Sequence, residues 1–352
     1  MKTLSSFIFL AVSGWVSFSW ALTDIEISGE VSLAAQVYQL PTGQRGDSAF
    51  LVPSFVLGIE APLKEGNLLV ASFEGAEKRQ SSTQEFDVYS RTVYLDVVSI
   101  FQGSQALRLG LVPRTWLASQ YEDWSYRFLG ETGKAMTEKY RYSSLADLGV
   151  VYMSQFSGQW GEWAFSLTNG EGAEKAETGP HKDFGFFWRS LLDSPWTFAL
   201  SYTRGSYEGM DDSFSTKERI QGMVTYHKED QWMVGLEVLD THDPAEAVRD
   251  LKMAGEVDVT NWLGQSIHGR GASLFTEVST GPLAKVMARY DFLQPAEGLS
   301  NKSMSSAFVG LSYQVTEDIR SALVFDYSKY DDGYGLGVRD QSKLEFATQV
   351  LF

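Results

Sequence analysis

The sequence predicts an all-β fold, a transmembrane antiparallel β-barrel of about sixteen strands, and three observations predict it. The chain ends on Lys343-Leu344-Glu345-Phe346-Ala347-Thr348-Gln349-Val350-Leu351-Phe352, an alternating segment that stops on an aromatic residue. It begins with Met1 to Ala21, which has the layout of a secretory signal peptide. Between these ends, segments of period-two patterning are joined by connections that alternate between short and long. A strand with one face for lipid and the other for water, and no helix to cover it, suits the closing strand of a membrane barrel.

The amino-terminal stretch has Lys2, an apolar run from Phe7 to Val16, and Ser19-Trp20-Ala21 before the expected cleavage. Residues 1–21 are therefore expected to be removed, leaving 22–352 as one barrel domain exported to the outer membrane of a Gram-negative bacterium. No other segment has the roughly 20 consecutive apolar residues that a membrane helix needs, and mean hydropathy is −0.17.

From Ile25 to Val37 the odd positions Ile25, Ile27, Val31, Leu33, Ala35 and Val37 are apolar, while Glu26, Ser28, Glu30, Ser32 and Gln36 are polar. This is the alternation of a half-solvated strand. Comparable segments follow at Ala49–Glu60, Asn67–Glu77, Phe86–Val98, Ser104–Leu111, Ala146–Phe156, Gln159–Asn169 and Asp183–Leu191. The remainder are Trp196–Arg204, Arg219–His227, Gln231–Leu239, Ile267–Ser279, Leu283–Leu293, Ser305–Gln314, Ile319–Ser328 and Gln341–Phe352. Two break the pattern. Arg91 falls among Val93, Leu95 and Val97, which calls for a bulge or a shifted register, and Ile267–Ser279 has no clear phase.

The even connections are short, at Ala61–Gly66, Ser99–Gly103, Ser157-Gly158, Leu192–Pro195, Lys228–Asp230, Gly281-Pro282 and Val315–Asp318. The odd ones, expected to be outer loops, contain Pro41–Asp47, Lys78–Gln84, Val112–Leu145, Gly170–Lys182, Gly205–Lys217, Asp240–Ser266, Pro295–Met304 and Tyr330–Asp340. A barrel with both termini in the periplasm requires this rhythm. A two-sheet sandwich also has regularly spaced strands, but it needs neither the rhythm nor the aromatic last residue.

Composition agrees. The chain has no cysteine, 32 glycines and 14% aromatic residues, so cohesion must come from backbone pairing and packing, with Tyr and Trp available for interfacial girdles. A net charge of −16, with no basic surface gathered anywhere, excludes nucleic acid as a partner.

The longest connection, Val112–Leu145, carries Trp116, Tyr121, Trp124, Tyr126, Phe128, Tyr140 and Tyr142. A loop this aromatic is expected to fold into the lumen. In this position it resembles the constriction loop of the sixteen-stranded diffusion porins of Gram-negative bacteria. Gly110-Leu111-Val112-Pro113, Trp124-Ser125-Tyr126-Arg127, Asp147-Leu148-Gly149-Val150 and Asn169-Gly170-Glu171-Gly172 are similar to the group related to the phosphate-selective porins. The resemblance implies a passive pore for ions and small hydrophilic solutes, a homotrimer, and contact with outer-membrane lipid and lipopolysaccharide. It also implies loop carboxylates set opposite wall arginines. A dense lysine run is missing, since Lys134 and Lys139 are separated and flanked by Glu131 and Glu138, so phosphate specificity is not implied.

For constriction and selectivity the loop offers Arg114, Glu122, Asp123 and Arg127, and the inward phase of the wall offers Arg108, Arg189, Arg219, Lys285, Arg289 and Arg320. Arg108, Arg189, Arg289 and Arg127 come first, being expected at mid-barrel or on the loop. Glu26, Glu30, Glu74, Glu162, Glu237, Asp291, Asp326 and Glu345 share the water-facing phase, and hydrated rings of charge bias ion passage. The alternative is a barrel plugged by the loop, acting in structure or in surface recognition by adhesion or phage.

Other chemistry is thin. No motif asks for a cofactor, and the histidines His181, His227, His242 and His268 form no nucleophile–base spacing beyond Ser266 and His268, so no enzyme is expected. Asp211-Asp212, Asp331-Asp332 and Asp240-Thr241-His242-Asp243 are carboxylate clusters for calcium or, more simply, solvated loop acids. Pro244–Met253 has a short helical period.

Overall fold

A computed structural model describes residues 25–40, 46–80, 83–98, 104–156, 160–173, 180–207, 216–248, 264–297, 303–331 and 340–352. The expected signal peptide, Asp211-Asp212, Asp332 and the second half of the Pro244–Met253 period lie outside them. The strands are β1 (Glu26–Leu40), β2 (Ser48–Pro62), β3 (Leu68–Gln80), β4 (Thr83–Val97), β5 (Ala106–Pro113), β6 (Ala146–Gln155), β7 (Glu162–Thr168) and β8 (Asp183–Arg189). Then follow β9 (Trp196–Ser206), β10 (Thr216–Lys228), β11 (Trp232–Pro244), β12 (Ser266–Ser279), β13 (Ala284–Gln294), β14 (Met304–Gln314), β15 (Ile319–Tyr330) and β16 (Gln341–Leu351). Each strand pairs antiparallel with its sequence neighbours, and β1 pairs with β16 to close a sixteen-stranded barrel. Each expected segment overlaps one strand.

Closure follows from the terminal pattern. Val31 pairs with Val350 and Ala35 with Phe346, and Gly29 and Phe352 exchange backbone hydrogen bonds of 2.8 and 3.0 Å just beyond the ladder. A Cβ on Gly29 would lie 2.2 Å from the Phe352 ring, so the terminal aromatic fits only because residue 29 lacks a side chain. The outward side chains, including Leu33, Leu148, Phe165, Leu200, Leu236, Leu274, Val309, Phe325 and Phe346, are exposed. An exposed apolar face without edges is the surface a bilayer solvates.

Three strands, β2, β5 and β11, end at a proline, Pro62, Pro113 and Pro244. Proline has no N–H for the ladder, which makes it a strand terminator. The irregular phase of β4 is a bulge. Ser72 pairs with Thr92 but Phe73 pairs with Ser90, leaving Arg91 as the extra residue. Phe86 and Val88 therefore face outward below residue 91 in sequence, and Val93 does so above it, while Arg91 turns in toward Glu74 at 3.6 Å. β12 has no bulge: its register to β11 and β13 is unbroken. Its phase was obscured because Phe275 points inward and is buried, whereas His268 and Arg270 point outward at the outer end.

One connection departs from the expected rhythm. β3 and β4 continue to Gln80 and Thr83, which pair in register, so the ladder runs through most of the expected loop Lys78–Gln84, and Ser81-Ser82 lie outside the described residues. Lys78, Arg79, Gln80, Thr83 and Gln84 are polar at odd and even positions alike. Beyond the bilayer both strand faces meet water, so the ladder runs on without alternation to announce it. Likewise β11 extends to Pro244, and among the described residues of the expected helical stretch Ala245–Ala247 forms a turn of helix, α3.

Candidate functional site

The β5–β6 connection is a folded element. Arg114 precedes helix α1 (Thr115–Asp123), a 3-10 stretch spans Arg127–Thr132 with a break at Gly130 (φ 61°), and a short helix α2 covers Met136–Lys139. Leu117, Trp124, Tyr126, Phe128, Leu129 and Met136 are each at most 2% exposed. Trp124, Tyr126, Phe128 and Leu129 join one apolar cluster with the inward-facing Phe275, Met287, Phe308, Val324 and Ala347 of β12 to β16. Trp124 packs edge-on to Phe275 at 5.5 Å and lies 5.7 Å from Phe308, and its Nε1–H donates to the Gly133 carbonyl at 2.9 Å. This half of the wall is apolar where it meets the loop, and burial of these rings holds the loop there.

Polar contacts continue around the circumference. The Tyr126 hydroxyl donates to Glu277 of β12 at 2.5 Å, Thr132 donates to Glu345 of β16 at 3.1 Å, and Lys139 donates to Ser306 of β14 at 2.9 Å. The Gln120 amide donates to Glu237 of β11 at 2.6 Å. Arg127 bonds Glu74 of β3 at 2.8 Å and Glu138 at 2.9 Å, and Tyr121 donates to the same Glu138. Burial alone would lower the Arg127 guanidinium and raise the Glu138 carboxyl. Their mutual attraction outweighs it, so Arg127 stays charged and Glu138 is held below the usual carboxylate value. Burial pushes the Tyr121, Tyr126 and Tyr140 phenols up, and they remain neutral donors.

Two spaces border the loop among the described residues. The larger, about 1060 Å³, lies between it and the inner faces of β4 to β10, and is lined by Arg91, Arg114, Arg127, Glu131, Lys134, Glu138, Val151, Ser166, Ser201, Lys217, Arg219 and Gln221 among others. A smaller one, about 300 Å³, lies at the opposite end around Ser125, Gln314, Glu317, Asp318, Arg320 and Gln349.

The ten expected site residues are dispersed over these features. Arg114, Arg127 and Arg219 line the large cavity. Arg114 bonds Asp147 and, at 3.3 Å, Asp183, and Arg219 bonds Asp243 at 2.9 Å and Tyr207 at 2.6 Å. Glu122 and Asp123, at the end of α1, both pair with Arg189, the second at 3.6 Å. Asp123 also accepts from Thr225 at 3.2 Å and lies 3.0 Å from His227. Arg320 holds the loop at Ser125, 2.9 Å away, and its guanidinium sits 4.5 Å from the Phe128 ring.

Three expectations need correction. Arg289 is 3% exposed beneath Trp124, bonded to Asp291 at 2.7 Å, so it supports the loop and does not face a cavity. Arg108 sits toward the periplasmic end of β5, locked to Asp96 by bonds of 2.7 and 2.8 Å, and not at mid-barrel. Lys285 is likewise near the periplasmic turn, paired with Glu277 at 2.6 Å. Of the wall acids expected to face water, Glu74, Glu237, Asp291 and Glu345 are at most 3% exposed, because the loop or its anchors cover them. Sequence reasoning offered Glu138 only as one of several loop carboxylates and passed over Arg91, Lys217 and Asp183 as pore charges. The out-of-phase position of Arg91 was the one available signal; the others required knowing where the loop lands.

The fold has known counterparts at low sequence similarity. OmpF of Salmonella typhi superposes with a TM-score of 0.66 at 11% identity, over 93% of this chain and 97% of that one. An anion-selective porin from Comamonas acidovorans gives 0.64 at 11%, over 94% and 99%, and OmpT of Vibrio cholerae in its trimer form gives 0.62 at 13%, over 94% and 99%. No family model and no curated protein matches the sequence. The chain has the closed sixteen-stranded barrel of the outer-membrane porins.

Proposed function

We propose that the protein is an outer-membrane diffusion channel through which ions and small hydrophilic solutes pass passively, narrowed by the connection 114–145. The observation that carries this is the polar cavity of about 1060 Å³ between that connection and β4 to β10. A lumen lined by charged and hydroxyl side chains stays hydrated and conducts. The apolar side of the loop packs on β12 to β16, while polar bonds also tie it to β3, β8 and β10. Arg91, Arg114, Arg127 and Arg219 line the cavity together with Glu131, Glu138 and Asp183, some of them paired directly, as Arg127 is with Glu138 and Arg114 with Asp183, and this mixed charge supports a modest selectivity. A homotrimer in lipid and lipopolysaccharide is part of the proposal, supported by the barrel type and by the trimeric form of one similar structure.

A second reading is a barrel closed by its loop, serving in structure or surface recognition. The near-complete burial of Leu117, Trp124, Tyr126, Phe128 and Leu129 favours it. Planar-bilayer recording of the purified folded protein decides between them. Stepwise conductance is expected. A folded protein that never conducts would overturn the channel and leave the plug. Reversal potential in a salt gradient then gives the sign of selectivity.

A further inference from the structure

On the outward face of the barrel, β11 and β12 bring together three metal-ligating side chains. His242 and His268 are direct cross-strand partners, with their rings stacked at 4.4 Å and 19°. Asp240, two residues before His242, shares the outward phase. Ligand atoms of Asp240, His242 and His268 all lie within 4.8 Å of one another. The sequence cluster Asp240-Thr241-His242-Asp243 cannot act as one calcium loop. Alternation sends Thr241 and Asp243 into the lumen, where both are buried and Asp243 pairs with Arg219.

We propose that Asp240, His242 and His268 form a surface site for a divalent transition-metal ion such as Zn2+. Two imidazoles and one carboxylate suit a borderline ion and supply too few oxygens for calcium. The surroundings of His268 are an independent argument. Its Nε2 lies 2.9 Å from Asp240, and its Nδ1 lies 2.8 Å from Glu297 on the far side. Glu297 is held there by its own backbone N–H, which donates to the His268 carbonyl at 2.6 Å, and by Arg270 at 2.9 Å. A carboxylate accepting from one ring nitrogen fixes the tautomer and aims the other nitrogen at a metal. A bound ion would take the place of the contact between Nε2 and Asp240, while Nδ1 stays against Glu297. The site follows Val238 on β11 and precedes Ala272 on β12, just outside the apolar belt, so a bound ion ties the hairpin to the chain segment after β13 at the outer mouth.

The test is titration calorimetry of the full folded protein in detergent micelles with Zn2+. One ion per chain is expected, with no competition from excess Ca2+. His242→Ala and His268→Ala should each weaken binding at least tenfold, Glu297→Gln about tenfold, and His181→Ala not at all, all variants keeping heat-modifiable gel migration. Unchanged Zn2+ binding in both His242→Ala and His268→Ala, absence of Zn2+ binding at micromolar concentrations, or equal binding of Ca2+ would overturn the site.

Discussion

Replacing Trp124 with alanine isolates what holds the β5–β6 connection in place. The indole is fully buried, contacts Tyr126, Phe275 and Phe308 at ring distances of 5.0 to 5.7 Å, and satisfies the Gly133 carbonyl. Truncating such a ring costs about 3–5 kcal/mol. None of that falls on the barrel ladder, because Trp124 belongs to no strand and the hydrogen bonds closing β1 to β16 are untouched. The loss is confined to the equilibrium between docked and released loop, which moves toward release by roughly 10²–10⁴-fold. The assay pairs single-channel recording with limited proteolysis in detergent. Trp124→Ala is expected to raise conductance or its noise and to expose sites within 114–145 to protease, while heat-modifiable migration stays as in the wild type. Conductance and cleavage identical to the wild type would refute the claim that ring burial anchors the loop.

Further outcomes follow from the same geometry. Glu138 has a carboxyl pKa depressed by Arg127. Its contribution to docking is therefore complete above the unfolded value of about 4.3 and is lost as pH falls through the lower folded value. Protease exposure of the loop should rise only below about pH 4, and Glu138→Gln should abolish that step by exposing the loop at neutral pH. Arg127→Glu places like charges beside Glu74 and Glu138, so it should shift the reversal potential toward cations and loosen the loop; a potential equal to that of Arg289→Ala would argue against Arg127 as a pore-facing charge. Gly29→Leu puts a side chain where the Phe352 ring lies, so the yield of heat-modifiable folded barrel should fall, and deleting Phe352 in the same chain should partly restore it.

Strand positions were legible wherever the two faces of a strand meet different solvents. Ile25 to Val37 and Lys343 to Phe352 alternate because one face touches lipid and the other the lumen, and both form strands in the expected phase. Legibility failed where that difference vanishes. At Lys78 to Gln84 both faces are outside the bilayer, and the ladder continued unannounced. At β12 the inward Phe275 inverts the usual polarity because the loop, not water, is its neighbour. The Arg91 irregularity was visible as a break in period, and its resolution as a bulge needed only the pairing partner.

The same distinction explains why the site was harder to read than the fold. Alternation reads an inward charge as a hydrated one, which holds for Lys285, whose side chain is 48% exposed. It fails for Glu237 and Arg289, which lie 4.0 Å apart in a region sealed by Trp124 and α1. Period two tells which way a side chain points, but not whether water or another part of the chain waits there. Only a tertiary contact more than a hundred residues distant, such as Gln120 to Glu237 or Tyr126 to Ser312, decides that. Buried charge of this kind is costly unless paired, so the acids of β11, β13 and β16 and the arginine of β13 act as one mould for the docked loop. In the proposed channel the wall charges that border the large cavity are instead Arg91, Lys217 and Arg219.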